Sequence, residues 1–271
     1  MFECVINVSE GQRLDVLDQL RAAAGDPLRD VHADPIHNRS VFTLIDEAEA
    51  LSKGVRALAE VALTTLDLRD HEGVHPRLGV LDVVPFVALA PSRAEDAVAL
   101  RDQTADWLAR TYDLPIFFYG PLEDGTTRTL PDVRRRAFSS LAPDRGPDAA
   151  DPRRGATAVG ARGVLVAWNL WLRGVTRDEA TVIASSIRTP TVRALAFAMG
   201  DSVQVSCNLI DPLVVGPSEV YDQVSALLVG GTIDRAELVG LAPGALLEKE
   251  DPERWGQLGL SEAATIEARL G

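Results

Sequence analysis

The stretch Arg69 to Asp82, RDHEGVHPRLGVLD, brings two histidines, two arginines and two aspartates into fourteen residues. A histidine ionises near neutral pH and can both take and return a proton. An arginine grips a carboxylate with a planar fork, and an aspartate close to an imidazole can orient it or stabilise its cation. Together these side chains point to acid–base chemistry on a small anionic molecule. The letters His71-Glu72-Gly73-Val74-His75 also spell HExxH, the zinc-hydrolase signature, which requires both histidines one turn apart on a helix. Pro76 biases His75 out of the helical region, and Gly73 weakens any helix through the middle. The pair is read as a loop, and a zinc hydrolase built on His71 and His75 stays as an alternative.

Further cations stand at predicted strand junctions. His37-Asn38-Arg39 precedes one strand, His75-Pro76-Arg77 precedes another, and Gly160-Ala161-Arg162 enters a third. Arg39, Arg77 and Arg162 are candidates for substrate carboxylates, a role that structural ion pairing rivals because the fork serves both. Asp82, on the strand directly after the loop, is a candidate to orient His75. Its other reading is a strand-end carboxylate satisfied by backbone amides or by Arg77.

The elements that must position these residues follow from periodicity. FECVINV (2–8) reads as a strand, Ser9 as an N-cap, and the next residues as a helix to about Ala24. Extended segments follow near 27–33 and 39–46. A helix spans roughly Glu47 to Leu66, with Leu51, Val55, Leu58 and Ala62 on one face. Strand 80–89 completes βαββαβ, the split pattern of ferredoxin-like folds. A helix over 93–112, the short strand PIFFY (115–119) and a helix near 131–141 are appended. Beyond the proline- and glycine-dense 142–155, the order recurs: strand 162–172, helix 176–188, strands 191–199 and 202–210, helix 217–229 and strand 235–241. The expectation is an α/β (α+β) protein of two ferredoxin-like βαββαβ lobes, 1–145 and 156–271. A linker, 146–155, borders a ligand cleft between them.

Composition bounds the partners. The 271 residues, 46% hydrophobic and 25% charged, suffice for a buried core. A net charge of −13 argues against nucleic acid, which needs a concentrated basic patch. The apolar runs Val80–Ala90 and Gly163–Leu172 are short and interrupted, so no membrane span is expected. The N-terminus lacks a signal peptide, which makes a cytoplasmic location the expectation. Cys4 and Cys207 lie in strand-like segments and read as buried structural thiols.

Four stretches carry a resemblance: CVINVSEG (4–11), IHNRSVFTLID (36–46), HEGVHPRLGVLDVVPF (71–86) and GATAVGARGVLVAWNLWL (155–172). Supporting them are DLPIFFYG (113–120), RTLPDVR (128–134) and LVGLAP (238–243). In order, from Cys4 to about Pro243, the chain resembles the formiminotransferase domain of glutamate formiminotransferase, the folate-dependent enzyme of histidine breakdown. The resemblance implies transfer of a formimino group from N-formimino-L-glutamate to tetrahydrofolate as co-substrate, with no metal. In that family the histidine of the HPR-x-G-x-LD motif is catalytic, and here it is His75. The amine N5 of tetrahydrofolate must lose a proton as it attacks the amidine carbon, and the departing glutamate nitrogen must gain one. A group with pKa near ~6.5 can do both in turn, contributing ~10²–10⁴ in rate.

The resemblance also implies that Gly146-Pro147-Asp148-Ala149-Ala150-Asp151-Pro152-Arg153-Arg154-Gly155 is the folate-binding segment. In the family it reads roughly GPSSF-x-P-x-x-G. Here Asp148 and Ala149 replace two serines and Ala150 a phenylalanine, which predicts weaker folate binding or a different ligand. RTPTVRALAF (188–197) is shorter than the family pattern. Bifunctional members continue into a cyclodeaminase domain, so the expectation here is a single-function transferase, with any deaminase a separate protein and a homodimer left open. Formyl or amidine transfer with another donor or acceptor, and a non-catalytic ligand-binding paralogue, are the rival functions on this scaffold.

Overall fold

In the computed structural model, which describes residues 1–270, the chain divides at Gly163/Val164 into two units. The first opens with strand β1 (Phe2–Val8), helix α1 (Leu14–Ala24), strands β2 (Leu28–Asp34) and β3 (Arg39–Asp46), helix α2 (Ala48–Thr65) and strand β4 (Leu81–Ala88). Helix α3 (Ala94–Tyr112), strands β5 (Ile116–Pro121) and β6 (Thr127–Arg128), helix α4 (Leu130–Arg136) and strand β7 (Thr157–Arg162) complete it. The sheet order is β2-β3-β1-β4-β7-β5-β6. The first four strands pair antiparallel, whereas β7 lies parallel between β4 and β5.

The first unit therefore carries a seven-stranded sheet rather than the four strands of a bare βαββαβ lobe. PIFFY becomes part of β5, which reaches the sheet through the α3 crossover that a parallel neighbour requires. GATAVGAR then fills the gap as β7, so the predicted strand 162–172 is really two, one ending at Arg162 and the next starting at Val166. The boundary accordingly falls after Gly163 and not at 146–155. Proline, glycine and charge in that segment mark turns within a folded region, because the same residues serve both uses.

Alternation on the strands and the 3.6-residue period on the helices bury one face of each. Cys4, Ile6 and Val8 of β1, Phe42 and Leu44 of β3, and Leu51, Val55, Leu58 and Ala62 of α2 share the main core. On the other face, Val83, Phe117, Tyr119 and Ala158 pack with Val133 of α4. Ser9 is not a helix cap: its hydroxyl donates to the Gly79 carbonyl at 2.8 Å. The N-terminal amides before α1 are served by Glu10, whose carboxylate accepts from the Gln12 and Arg13 N–H groups.

The second unit comprises β8 (Val166–Arg173), α5 (Arg177–Ser186), β9 (Val192–Met199), β10 (Ser202–Leu209), α6 (Pro217–Leu227) and β11 (Thr232–Val239), then short helices from Gly244. Its sheet is antiparallel, in the order β11-β8-β10-β9. It has its own core around Trp168, Leu170, Val205 and Ile183. Among the described residues no helix is long and apolar enough to cross a membrane.

Candidate active site

Residues 71–79, between the single 3₁₀ turn Leu68–Asp70 and β4, form no helix, so the HExxH letters do not present two histidines on one helical face. Among the described residues no group of three His, Cys, Asp or Glu side chains is placed to hold a metal ion. The loop is held instead by its own arginine. Arg77 donates to the carbonyls of Gly73 (3.2 Å), His75 (3.0 Å) and His71 (3.3 Å). His71 reaches the Asn38 carbonyl through Nε2 at 2.8 Å. Gly73 is required by contact: a Cβ there would lie 2.3 Å from the His37 carbonyl oxygen.

This packing brings the rings of His37 and His75 edge to face, centroids 5.6 Å apart. His75 Nδ1 lies 2.7 Å from the Pro76 carbonyl oxygen. A carbonyl has no proton to give, so in the neutral ring Nδ1 carries the hydrogen and Nε2 the lone pair. Burial, then the positive charges of Arg39 and Arg134, push His75 down to about 2 against the opposing pull of Asp82. The imidazole is therefore neutral at physiological pH.

Asp82, the second residue of β4, is fully buried. Its Oδ2 accepts from Arg39 Nη1 at 2.5 Å and from Arg134 Nη2 at 2.6 Å. Its Oδ1 accepts from the Leu78 amide at 2.7 Å and from Arg134 Nη1 at 3.3 Å. Burial alone would raise this carboxyl, but the two guanidiniums and the amide hold it well below the usual carboxylate range. Arg39 also grips Asn7 Oδ1 at 2.9 and 3.2 Å. Arg134 Nη1 reaches the Pro76 carbonyl at 3.1 Å.

The segment 146–155 splits in two. Asp148, Ala149 and Ala150 are exposed, whereas Asp151 to Gly155 are fastened to the loop. The Arg154 carbonyl accepts from the Val80 amide, and the Arg153 carbonyl from the Leu68 amide. Arg153 donates to the carbonyls of Thr64 and Leu66, and Arg154 pairs with Asp151 at 2.8 Å. Gly79 and Gly155 bridge directly. A Cβ on Gly79 would lie 2.2 Å from the Ala156 carbonyl oxygen, and one on Gly155 2.2 Å from that of Leu78. The glycines of HPRLG and GATA thus exist for each other. A polar cavity of about 260 Å³ opens beside the loop, lined in part by Ser9, Glu10, Arg13, Asn38 and His71.

Of the predicted residues, His75, Asp82, Arg39 and Arg77 come together. Arg162 does not. It pairs with Val87, five residues along β4 from Asp82, or ~16 Å at strand rise, where it interacts with Glu3 and the Tyr119 hydroxyl. Arg134, which RTLPDVR contains, joins this cluster through Asp82 and the Pro76 carbonyl without being among the predicted residues. Its signal is the helix start that aims it: Thr129 and Asp132 form a capping box at the head of α4. Both thiols are buried. Burial raises Cys4 and pushes Cys207 up to about 12, so neither supplies a thiolate.

Comparison with known proteins places this geometry. The formiminotransferase domain, N-terminal subdomain, matches residues 1–162. A glutamate formimidoyltransferase of Streptococcus pyogenes serotype M1 is 34% identical over 271 aligned residues, covering 90% of each chain. One from Thermoplasma acidophilum is 31% identical, over 90% of this chain and 88% of its own. The formimidoyltransferase-cyclodeaminase of Rattus norvegicus is 31% identical over 90% of this chain, which spans 50% of the rat protein.

Proposed function

The chain belongs to the formiminotransferase family, and from that premise we propose that it transfers the formimino group of N-formimino-L-glutamate to tetrahydrofolate, with His75 as acid and base. The observation that carries the mechanism is the state of the His75 ring. Fixed through Nδ1–H on the Pro76 carbonyl and kept neutral, it holds its lone pair on Nε2. Nε2 accepts the proton that the attacking amine must lose and returns it to the departing glutamate nitrogen, so no net proton is consumed. Carboxylates of the substrate near Arg39 and Arg134 offset the two charges that depress His75, so binding raises the basicity of the ring. Arg77 serves by clamping the loop and Asp82 by anchoring the two arginines.

Both βαββαβ strings keep the fourth strand next to the first, the first next to the third and the third next to the second, which supports reading the two units as ferredoxin-like. Residues 146–155 are the folate-facing segment in this proposal. Asp148, Ala149 and Ala150 offer one carboxylate and two methyl groups where hydroxyls and a ring would grip a pterin more firmly. That composition favours a second reading, in which the same residues move a formyl or amidine group between other partners.

Turnover with N-formimino-L-glutamate and with 5-formyl-tetrahydrofolate as donors separates the two. His75→Ala is expected to lower kcat at least ~10²-fold while ligand affinity stays within a few-fold. Near-normal turnover by that variant refutes the mechanism. Transfer from the formyl donor alone moves the function to the second reading.

A further inference from the structure

We propose that Arg134 is a positioning residue for the transfer, orienting the His75 imidazole through the carbonyl of Pro76. The proposal rests on the assignment of His75 as acid and base.

Asp82 cannot orient the imidazole itself. A carboxylate offers about four lone-pair sites, and four donors fill those of Asp82: Arg39 Nη1, the Leu78 amide and both terminal nitrogens of Arg134. None is left for an imidazole N–H. The proton on His75 Nδ1 goes to the Pro76 carbonyl instead. That oxygen has two lone pairs, and Arg134 Nη1 occupies the other at 3.1 Å. A peptide carbonyl in a loop can rotate, so an acceptor that is itself held fixes a ring better than one that is not. Arg134 holds it from a buried anchor, with one nitrogen on Asp82 Oδ2 and the other shared between Asp82 Oδ1 and Pro76. The chain of command is Asp82, Arg134, Pro76 carbonyl, His75 Nδ1–H. A carboxylate that orients a histidine in other enzymes here acts at one remove.

Only a fork spans three oxygens from two nitrogens, which makes lysine the discriminating substitution. Arg134→Lys keeps the positive charge toward Asp82 but loses the span. Arg134→Gln loses both and leaves Asp82 one cation short. If that variant fails to fold, the double variant Asp82→Asn, Arg134→Gln removes charge from both partners and keeps the question open to measurement.

Three readouts apply to the full chain. In steady state, Arg134→Lys is expected to lower kcat roughly 10–10²-fold, with both KM values within a few-fold. In ¹⁵N spectra of histidine-labelled protein, with the His75 signal identified by its loss in His75→Gln, the unaltered chain is expected to show the Nδ1–H form and Arg134→Lys a mixture of tautomers. The charged and titratable groups around the ring are Arg39 from β3, Asp82 from β4, Arg134 from α4, Arg77 bound to the His75 carbonyl, and His37 against its face. Arg134→Gln removes one of those cations, so the titration of His75 is expected to move up, whereas Arg134→Lys leaves it nearly in place. Wild-type kcat and a wild-type tautomer in folded Arg134→Lys would overturn the proposal, leaving Arg134 a source of charge only. A rise in KM at constant kcat would overturn it too, by making Arg134 a substrate-binding group. The tautomer needs no turnover: absence of formimino transfer by the unaltered chain would remove the proposed function and leave this test standing.

Discussion

A proton on Nε2 would make His75 a cation beside Arg39 and Arg134 in a partly desolvated loop, and its low value reflects those three causes in the order burial, Arg39, Arg134. The sign of the effect is definite. A histidine lowered from 6.5 stays in its basic form as pH falls through 6.5, so kcat/KM of the free enzyme is expected to lack a break near that pH between pH 8 and 5. Arg39→Gln removes the larger of the two charge contributions and should move the acid limb upward, toward this range. A break at 6.5 in the unaltered enzyme would show the ring to be solvated. At this scale the loop position of His75, beside Pro76 and off any helix, was legible from its own neighbours, because those constraints are local. Arg162 shows the limit of such local reading: a cation two residues past a glycine in GATAVGAR looks like its counterparts, but strand β7 carries it five residues along β4 from Asp82. Arg134 stands among Arg135 and Arg136, and the capping box of Thr129 and Asp132 marks where their helix starts without showing which arginine reaches Asp82. Only the placement of α4 does.

Between elements, the site depends on two glycines that the sequence could mark as special without revealing why. HPRLG ends at Gly79 and GATA begins at Gly155, seventy-six positions apart, and the two backbones touch. Three alanine substitutions separate the physical causes. Gly125 has φ +78 with nothing within 4 Å of a new Cβ, so Gly125→Ala measures the left-handed conformation alone, about 1 kcal/mol. Gly79 has no positive φ but meets the Ala156 oxygen at 2.2 Å, so Gly79→Ala measures close approach alone. Gly155 combines φ +74 with the approach to Leu78. Urea unfolding should rank the losses Gly125→Ala least and Gly155→Ala most, and turnover should fall in the latter two only, because they shift the loop that carries His75. Wild-type turnover in Gly79→Ala would mean the loop tolerates the displacement. Element type and order were legible from periodicity through most of the chain, as with α2, expected over 47–66 and found over Ala48–Thr65. Sheet membership was not. The insertion of β7 between β4 and β5 is a long-range choice that leaves no periodic trace, and a segment rich in proline, glycine and charge reads the same whether it links two units or lies folded against one.

For the molecule as a whole, buried protons set opposing slopes of stability against pH. Glu3 on β1 is raised from 4.5 to about 7, first by burial and against the pull of Arg162. Between those values the folded chain holds a proton that the unfolded chain has released, so this residue makes stability fall as pH rises from 4.5 to 7. His75 and His71 are both lowered, burial first in each case. Below 6.5 the unfolded chain binds protons that the folded chain refuses, so these residues make stability rise with pH. Asp82 titrates at 3.8 in the unfolded chain and lower still in the folded one, so it is silent above pH 5. The two slopes overlap between pH 5 and 6.5 and oppose each other, while self-repulsion from the net charge of −13 is a shared background in close variants. The unaltered chain should therefore show a Tm that changes less with pH across that window than that of a variant lacking Glu3. Glu3→Gln removes one limb, and its Tm should climb with pH over the same range. His75→Gln removes part of the other, and its Tm should rise less with pH, or fall more, than that of the unaltered chain. Thermal melts of the three proteins at pH 5.0, 5.5, 6.0 and 6.5, at fixed ionic strength, decide the matter, and parallel Tm curves would show that Glu3 and His75 titrate in the folded protein as they do in water.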